Sequence, residues 1–168
     1  MPINKHTFQS EVQRINGYLK EVVTQLDHTG KPISSFINPL MVELRPRDIL
    51  QIFVGSFLIA APLAFTEEIW NLSQTISSNR IWALGCISLV TVTLFIYFNF
   101  YRNRLKGYWI HFIKRVVATY LITCSSAIGV LFLIEKLPIH DQPQVAINRV
   151  IIISFPAVFA AVISDYLK

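Results

Sequence analysis

Glu67 and Glu68 stand side by side in Phe65-Thr66-Glu67-Glu68-Ile69-Trp70-Asn71, at the far end of an otherwise uncharged apolar stretch. Carboxylate oxygens suit hard ions such as calcium or magnesium, and acidic rings select cations in channels. Consecutive residues on a helix point to different sides, so only one of the two carboxylates can face a central axis. The Thr66 hydroxyl and the Asn71 amide add polar ligands beside them. The plainer reading is two solvated acids closing a helix at the membrane surface, paired with Arg80. A helix C-terminus disfavours acids, which weighs slightly against it. Asp165, at the end of the last apolar stretch, is either a surface acid or a charge at the opposite mouth.

Other chemistry has no comparable signal. The chain contains no HExxH, GxxxxGK, CxxC or GxSxG, and His6, His28, His111 and His140 are scattered. An enzyme is therefore not expected. Cys86 and Cys124 both fall in apolar stretches and read as packed thiols, with no metal-ligand spacing. The expected cofactor set is empty apart from a bound cation, Ca2+ among the candidates, contacted by Glu68 and Glu67.

These residues need elements to hold them, and the elements read as membrane helices. Of 168 residues, 53% are hydrophobic and 15% charged, against about 25% charged in a soluble domain. Ile49 to Thr66 carries no charge, a length within the ~17–25 residues that cross a bilayer. The first span is read as Asp48 to Trp70, and three more follow near 81–101, 112–134 and 145–164. The fold class is thus all-α: a bundle of four transmembrane helices over residues 48–168, preceded by a cytoplasmic segment over residues 1–47.

Loop charges orient the bundle. Arg102, Arg104 and Lys106, with Lys114 and Arg115 just beyond, crowd the second-to-third connection, and Arg45 and Arg47 precede the first span. Lys and Arg excess marks the cytoplasmic side, placing both termini inside a cell inner, plasma-type membrane. Trp70 and Trp82 then anchor the outer interface, and Trp109 the inner one. Arg102, Arg104, Lys114 and Arg115 are read as inner anchors, with Lys114 or Arg115 available to pair Asp48 or Asp165.

In the N-terminal segment, Phe8, Val12, Ile15, Leu19, Val22, Val23 and Leu26 recur in steps that suit one face of a helix. This predicts an amphipathic helix, interrupted weakly by Gly17, that lies on the bundle or recruits a protein partner through residues 6–27. Residues 31–47, with Pro32, Pro39 and Pro46, read as an irregular link. Small residues at Ser56, Ala60 and Ala64, at Ser125 and Gly129, and at Ala157 and Ala161 allow close helix approach in a membrane. Pro62 and Pro156 interrupt the first and fourth spans, as tolerated kinks or as hinges.

Gly55-Ser56-Phe57-Leu58, Pro62-Leu63 and Phe65-Thr66-Glu67-Glu68-Ile69-Trp70 together resemble a family of prokaryotic integral membrane proteins of unknown function. Thr66, Glu68 and Trp70 match its threonine-x-glutamate-x-tryptophan pattern, and Ser154-Phe155-Pro156-Ala157 looks like a second block. The resemblance implies a multi-span helical protein and carries no activity. Residues and resemblance together lead to one expectation: a homo-oligomer forming a cation channel or transport pathway, with Glu68, Glu67, Asn71, Thr66 and Asp165 along it. The alternative is a non-catalytic accessory or scaffold subunit of a larger membrane complex, favoured by the absence of charge at the middle of any span. Nucleic acid is not an expected partner.

Overall fold

A computed structural model of the chain describes residues 7–27, 30–39, 43–102 and 107–167, without the side chains of Thr7, Phe8 and Pro39. It divides into two compact units, Met1–Glu43 and Leu44–Lys168.

The first unit corrects the expected amphipathic helix. It is a three-stranded antiparallel sheet of β1 (Thr7–Ile15), β2 (Tyr18–Leu26) and β3 (Pro32–Pro39), in that spatial order. The hairpin between β1 and β2 turns on Asn16 and Gly17, whose φ values are +55° and +81°. Two consecutive positive φ angles define the type I′ turn, and Asn-Gly is its strongest sequence signal. Val12, Ile15, Val22, Val23 and Thr24 are β-branched, which favours a pleated strand over a helix. The apolar spacing imitated a helix, and turn chemistry overrode it. Residues 32–39 likewise form a strand rather than an irregular link. Its prolines sit at its two ends, on an edge strand where a missing N–H is tolerated. Glu43 closes the unit, accepting from Arg14 Nη2 at 2.7 Å and from the Leu19 amide at 3.1 Å.

The second unit holds α1 (Pro46–Ala64), α2 (Glu67–Thr75), α3 (Ser78–Ile96), α4 (Trp109–Leu133) and α5 (Pro143–Tyr166). A π-helical turn, Tyr97–Tyr101, extends α3. Among the described residues, four helices are long and apolar enough to cross a membrane: Pro46–Ala64, Ser78–Tyr101, Trp109–Leu133 and Pro143–Tyr166. The expected all-helical membrane bundle is the observed one. α5 is its centre, with 56% of its most apolar window buried against 22% for α3. A helix that is apolar all round belongs inside such a bundle.

Close contact between α1 and α5 has a specific cause. A Cβ added at Gly55 would lie 2.6 Å from Ser164 Cβ and 2.7 Å from the Ala160 carbonyl oxygen. Only glycine permits that approach, the small-residue packing that replaces a hydrophobic drive inside lipid. Ser56, Ala60, Ala64, Ala157 and Ala161 are buried with it, whereas Ser125 and Gly129 face outward. Toward the α2 end, Ala60, Ala64, Ala127, Val130, Leu131, Ile153 and Ala157 form a continuous apolar layer.

The first span is shorter than Asp48 to Trp70. Pro62 lacks the N–H that would continue the helical ladder, and α1 stops two residues later at Ala64. Thr66 then takes an extended conformation and Glu67 opens α2.

Candidate functional site

Two polar clusters lie at opposite ends of the bundle, each built around a buried arginine. At the end where α1 begins, Arg115 is fully buried near the start of α4. Its Nη1 donates to Asp165 at the end of α5, and its Nη2 donates to Asp48 at the start of α1, at 3.2 Å. Asp48 also accepts from the Arg45 amide at 3.1 Å, closing the first turn of α1. The guanidinium carbon lies 4.4 Å from the centre of the Phe100 ring, and the Tyr101 hydroxyl accepts from the same arginine. Phe100 and Tyr101 are consecutive in the π-helical turn, and both approach one guanidinium. Such turns concentrate at functional sites.

Of the two roles read for Arg115, an anchor or a partner of Asp48 or Asp165, the structure shows the pairing, with both acids. Asp48, Arg115 and Asp165 are 1%, 0% and 0% exposed. Bringing charges out of water costs several kcal/mol each and requires close pairing, which the two carboxylates supply. Asp165 is neither a surface acid nor an open mouth: it is held inside the bundle.

From Arg115 a line of hydroxyls runs along one face of α4. Thr119 donates to the Arg115 carbonyl and Thr123 to the Thr119 carbonyl, both at 2.8 Å. Ser126 donates to Ile122 O at 2.9 Å, and Ser56 on α1 to Phe53 O at 2.8 Å. The Ser56 and Ser126 oxygens lie 3.0 Å apart. All four residues are buried. Their protons are available to backbone carbonyls, so their oxygens offer acceptor lone pairs to the interior. The apolar layer ends the line.

At the opposite end, the break between α1 and α2 is held by residues of the threonine-x-glutamate-x-tryptophan pattern. The Thr66 hydroxyl donates to Leu63 O at 2.7 Å, and Trp70 Nε1 donates to Ala64 O at 2.9 Å. The Ala64 carbonyl is one that α1 leaves without an intrahelical partner on ending, whereas Leu63 O also accepts the Thr66 amide at 3.2 Å. Lys136 Nζ sits 4.4 Å over the Trp70 ring, so Trp70 ties α2 both to the end of α1 and to the α4–α5 connection. Arg149, 4% exposed, donates to Ser73 Oγ at 3.2 Å, to the Trp70 carbonyl at 3.4 Å and to the Lys136 carbonyl. Asn148 adds a bond to the Ser73 carbonyl at 3.2 Å. Arg149 was not among the residues singled out from the sequence; its neighbour Asn148 inside an apolar stretch was the available signal.

Glu67, Glu68 and Asn71 are exposed in the first turn and a half of α2. A helix N-terminus favours acids, so the dipole argument against the plainer reading is reversed. Among the described residues, neither glutamate has an ion pair, with Arg80 or any other residue, and no group of three or more His, Cys, Asp or Glu could hold a metal. Beside them a polar cleft of about 390 Å³ lies between α2 and the α4–α5 connection, lined by Asn71, Gln74, Glu135, Asp141 and Arg149 among others.

Trp82, Trp109, Arg102 and Lys114 are exposed near the ends of the candidate spans. Arg104 lies outside the described residues. Pro62 and Pro156 both sit inside helices.

The family model described as "Putative integral membrane protein (DUF2391)" matches residues 27–163. The chain belongs to that family. In this DUF2391 protein the matched region begins after the β1–β2 hairpin and takes in the helix break, both buried arginines and the hydroxyl line. Asp165 falls just past its end. No curated protein and no solved structure matches the chain.

Proposed function

We propose that this DUF2391 protein is a non-enzymatic, gated pathway for a small cation in a cell inner membrane, with both termini cytoplasmic and copies associated as a homo-oligomer. The observation that carries the reading is the buried Asp48–Arg115–Asp165 cluster opening onto the Thr119–Thr123–Ser126–Ser56 hydroxyls. Ionisable groups buried in a membrane bundle are costly and by default mark ion routes. In this reading the cluster lies closed at the cytoplasmic end, its carboxylates held by Arg115 until the pathway opens, and the hydroxyl oxygens extend an acceptor lining toward the bilayer centre. The apolar layer is the closed gate. Pro62 follows Ala60 in α1 and Pro156 precedes Ala157 in α5, so both helices lack a backbone hydrogen bond where the gate must part. Glu68, with Glu67, Thr66 and Asn71, collects the ion at the outer side, where Ca2+ is one candidate. No cofactor takes part.

Cation flux into liposomes tests this, comparing wild type with Asp165→Asn and Glu68→Gln. Flux abolished by Asp165→Asn and weakened by Glu68→Gln, in variants that insert and melt like wild type, is the expected result. Equal flux in all three proteins, or none in well-folded wild type, sinks the reading.

A scaffold role is the second reading, favoured by one observation. β3 is an edge strand exposing Ile33, Phe36 and Ile37, each more than half accessible. Unpaired edges with apolar side chains are templates for another chain. A partner that co-purifies and is lost on deleting the sheet, with no flux by the purified protein, would select it.

A further inference from the structure

Arg149 carries a buried charge with no ion pair among the described residues. Its three bonds run to the Ser73 hydroxyl and to the Trp70 and Lys136 carbonyls, all neutral acceptors. A guanidinium has five N–H donors, so part of the fork is left over. A buried charge without an opposite charge is expensive. Arg149 also lines the polar cleft of about 390 Å³ between α2 and the α4–α5 connection. Lys136, whose carbonyl it holds, reaches 4.4 Å over the Trp70 ring, so two cations and an indole meet there through direct contacts.

The acids of the cleft stand at its mouth. Glu135 and Asp141 line it and are exposed, whereas Arg149 is buried, so the charge changes sign from inside to outside. Glu135 is placed by the end of α4. Its amide donates to Phe132 O at 3.1 Å and the Lys136 amide to Leu131 O at 2.9 Å, the bonds of a Schellman ending. Glycine is the usual residue at that left-handed position, yet Glu135 holds it with φ +57°. A carboxylate is kept at the mouth at a conformational cost.

We propose that this cleft binds a phosphoethanolamine-type zwitterion, its phosphate on Arg149 and its ammonium at Glu135 and Asp141. The planar guanidinium fork matches phosphate oxygens. Acids at the mouth repel an anion that lacks an ammonium, and Arg149 and Lys136 repel a bare metal cation; such repulsion sets specificity. The cleft is of a size that takes a small ligand. α4 ends at Leu133 and α5 begins at Pro143, and both are candidate spans, so the cleft lies at the depth of lipid headgroups. The ligand is the headgroup of an aminophospholipid or the same group free in solution. Conduction is not required, so this site and the cation pathway fail separately.

The full chain in detergent is titrated by calorimetry with dihexanoyl phosphatidylethanolamine, dihexanoyl phosphatidylglycerol and free phosphoethanolamine. One phosphatidylethanolamine per chain is expected, competed by free phosphoethanolamine and bound about tenfold more tightly than phosphatidylglycerol. Tighter binding of the lipid than of the free group names the bilayer as the source, and equal binding names a soluble ligand. Arg149→Lys keeps the charge but loses the fork and should weaken phosphatidylethanolamine about tenfold. Glu135→Gly should weaken it about three- to fivefold, the size of an exposed ion pair, and leave phosphatidylglycerol no weaker. That variant should melt at or above wild type, because glycine relieves the positive φ, and it decides alone if Arg149→Lys misfolds. Equal affinity for the two lipids, no saturable binding by folded protein, or a folded variant that binds like wild type would each overturn the proposal.

Discussion

Arg115 is the residue on which the α1-start end of the bundle depends. It satisfies two buried carboxylates at once, so Arg115→Ala should cost about 3–5 kcal/mol by leaving them uncompensated. Thermal or denaturant unfolding in detergent measures this directly. Replacing Asp48, Arg115 and Asp165 together with apolar residues should cost less than that single change, because the desolvation penalty disappears with the charges. Glu68→Gln should change stability by less than about 0.5 kcal/mol, as expected for an exposed side chain. Trp70→Phe, by contrast, removes the bond to the Ala64 carbonyl and should cost about 1 kcal/mol. The two glutamates and the tryptophan share one sequence pattern, but the tryptophan holds the helix break while the glutamates are exposed. That division was legible only in part. The acids and the tryptophan were visible as a motif, whereas the carbonyls left by the end of α1 exist only once the break exists.

At the scale of elements, Gly55 sets the α1–α5 distance. Gly55→Ala would drive a methyl against the Ala160 carbonyl and Ser164 Cβ. The helices must separate, at a cost of about 1–3 kcal/mol typical of overpacking, lowering the melting temperature. The N-terminal sheet is the element that sequence reading missed. Steps of three and four among the apolar residues suit a helix, yet the same residues fit paired strands once the Asn16-Gly17 turn closes. A short hairpin pattern cannot be separated from a short helix by period alone. Asn-Gly was the stronger signal, because it constrains two φ angles rather than a face.

For the whole molecule, the division after Glu43 predicts that the membrane unit folds alone. A chain covering Leu44–Lys168 should insert and melt within about 2 °C of the full protein, since a few tenths of a kcal/mol moves a domain of this size by about that much. A large drop in melting temperature would show that the units depend on each other.

The sequence by itself determined that the chain crosses a membrane four times. Length and hydropathy suffice for this, because a bilayer forces every backbone polar group into a helix whatever the neighbours are. It also put Pro62 and Pro156 inside spans, where they are found. Only the tertiary structure decided which charges meet. Asp48, Arg115 and Asp165 belong to three helices, and no local pattern ties such residues together. Each charge near a span end can snorkel to water or turn inward. The choice is made by whether partners on other helices arrive at the same depth, and at Arg115 they do.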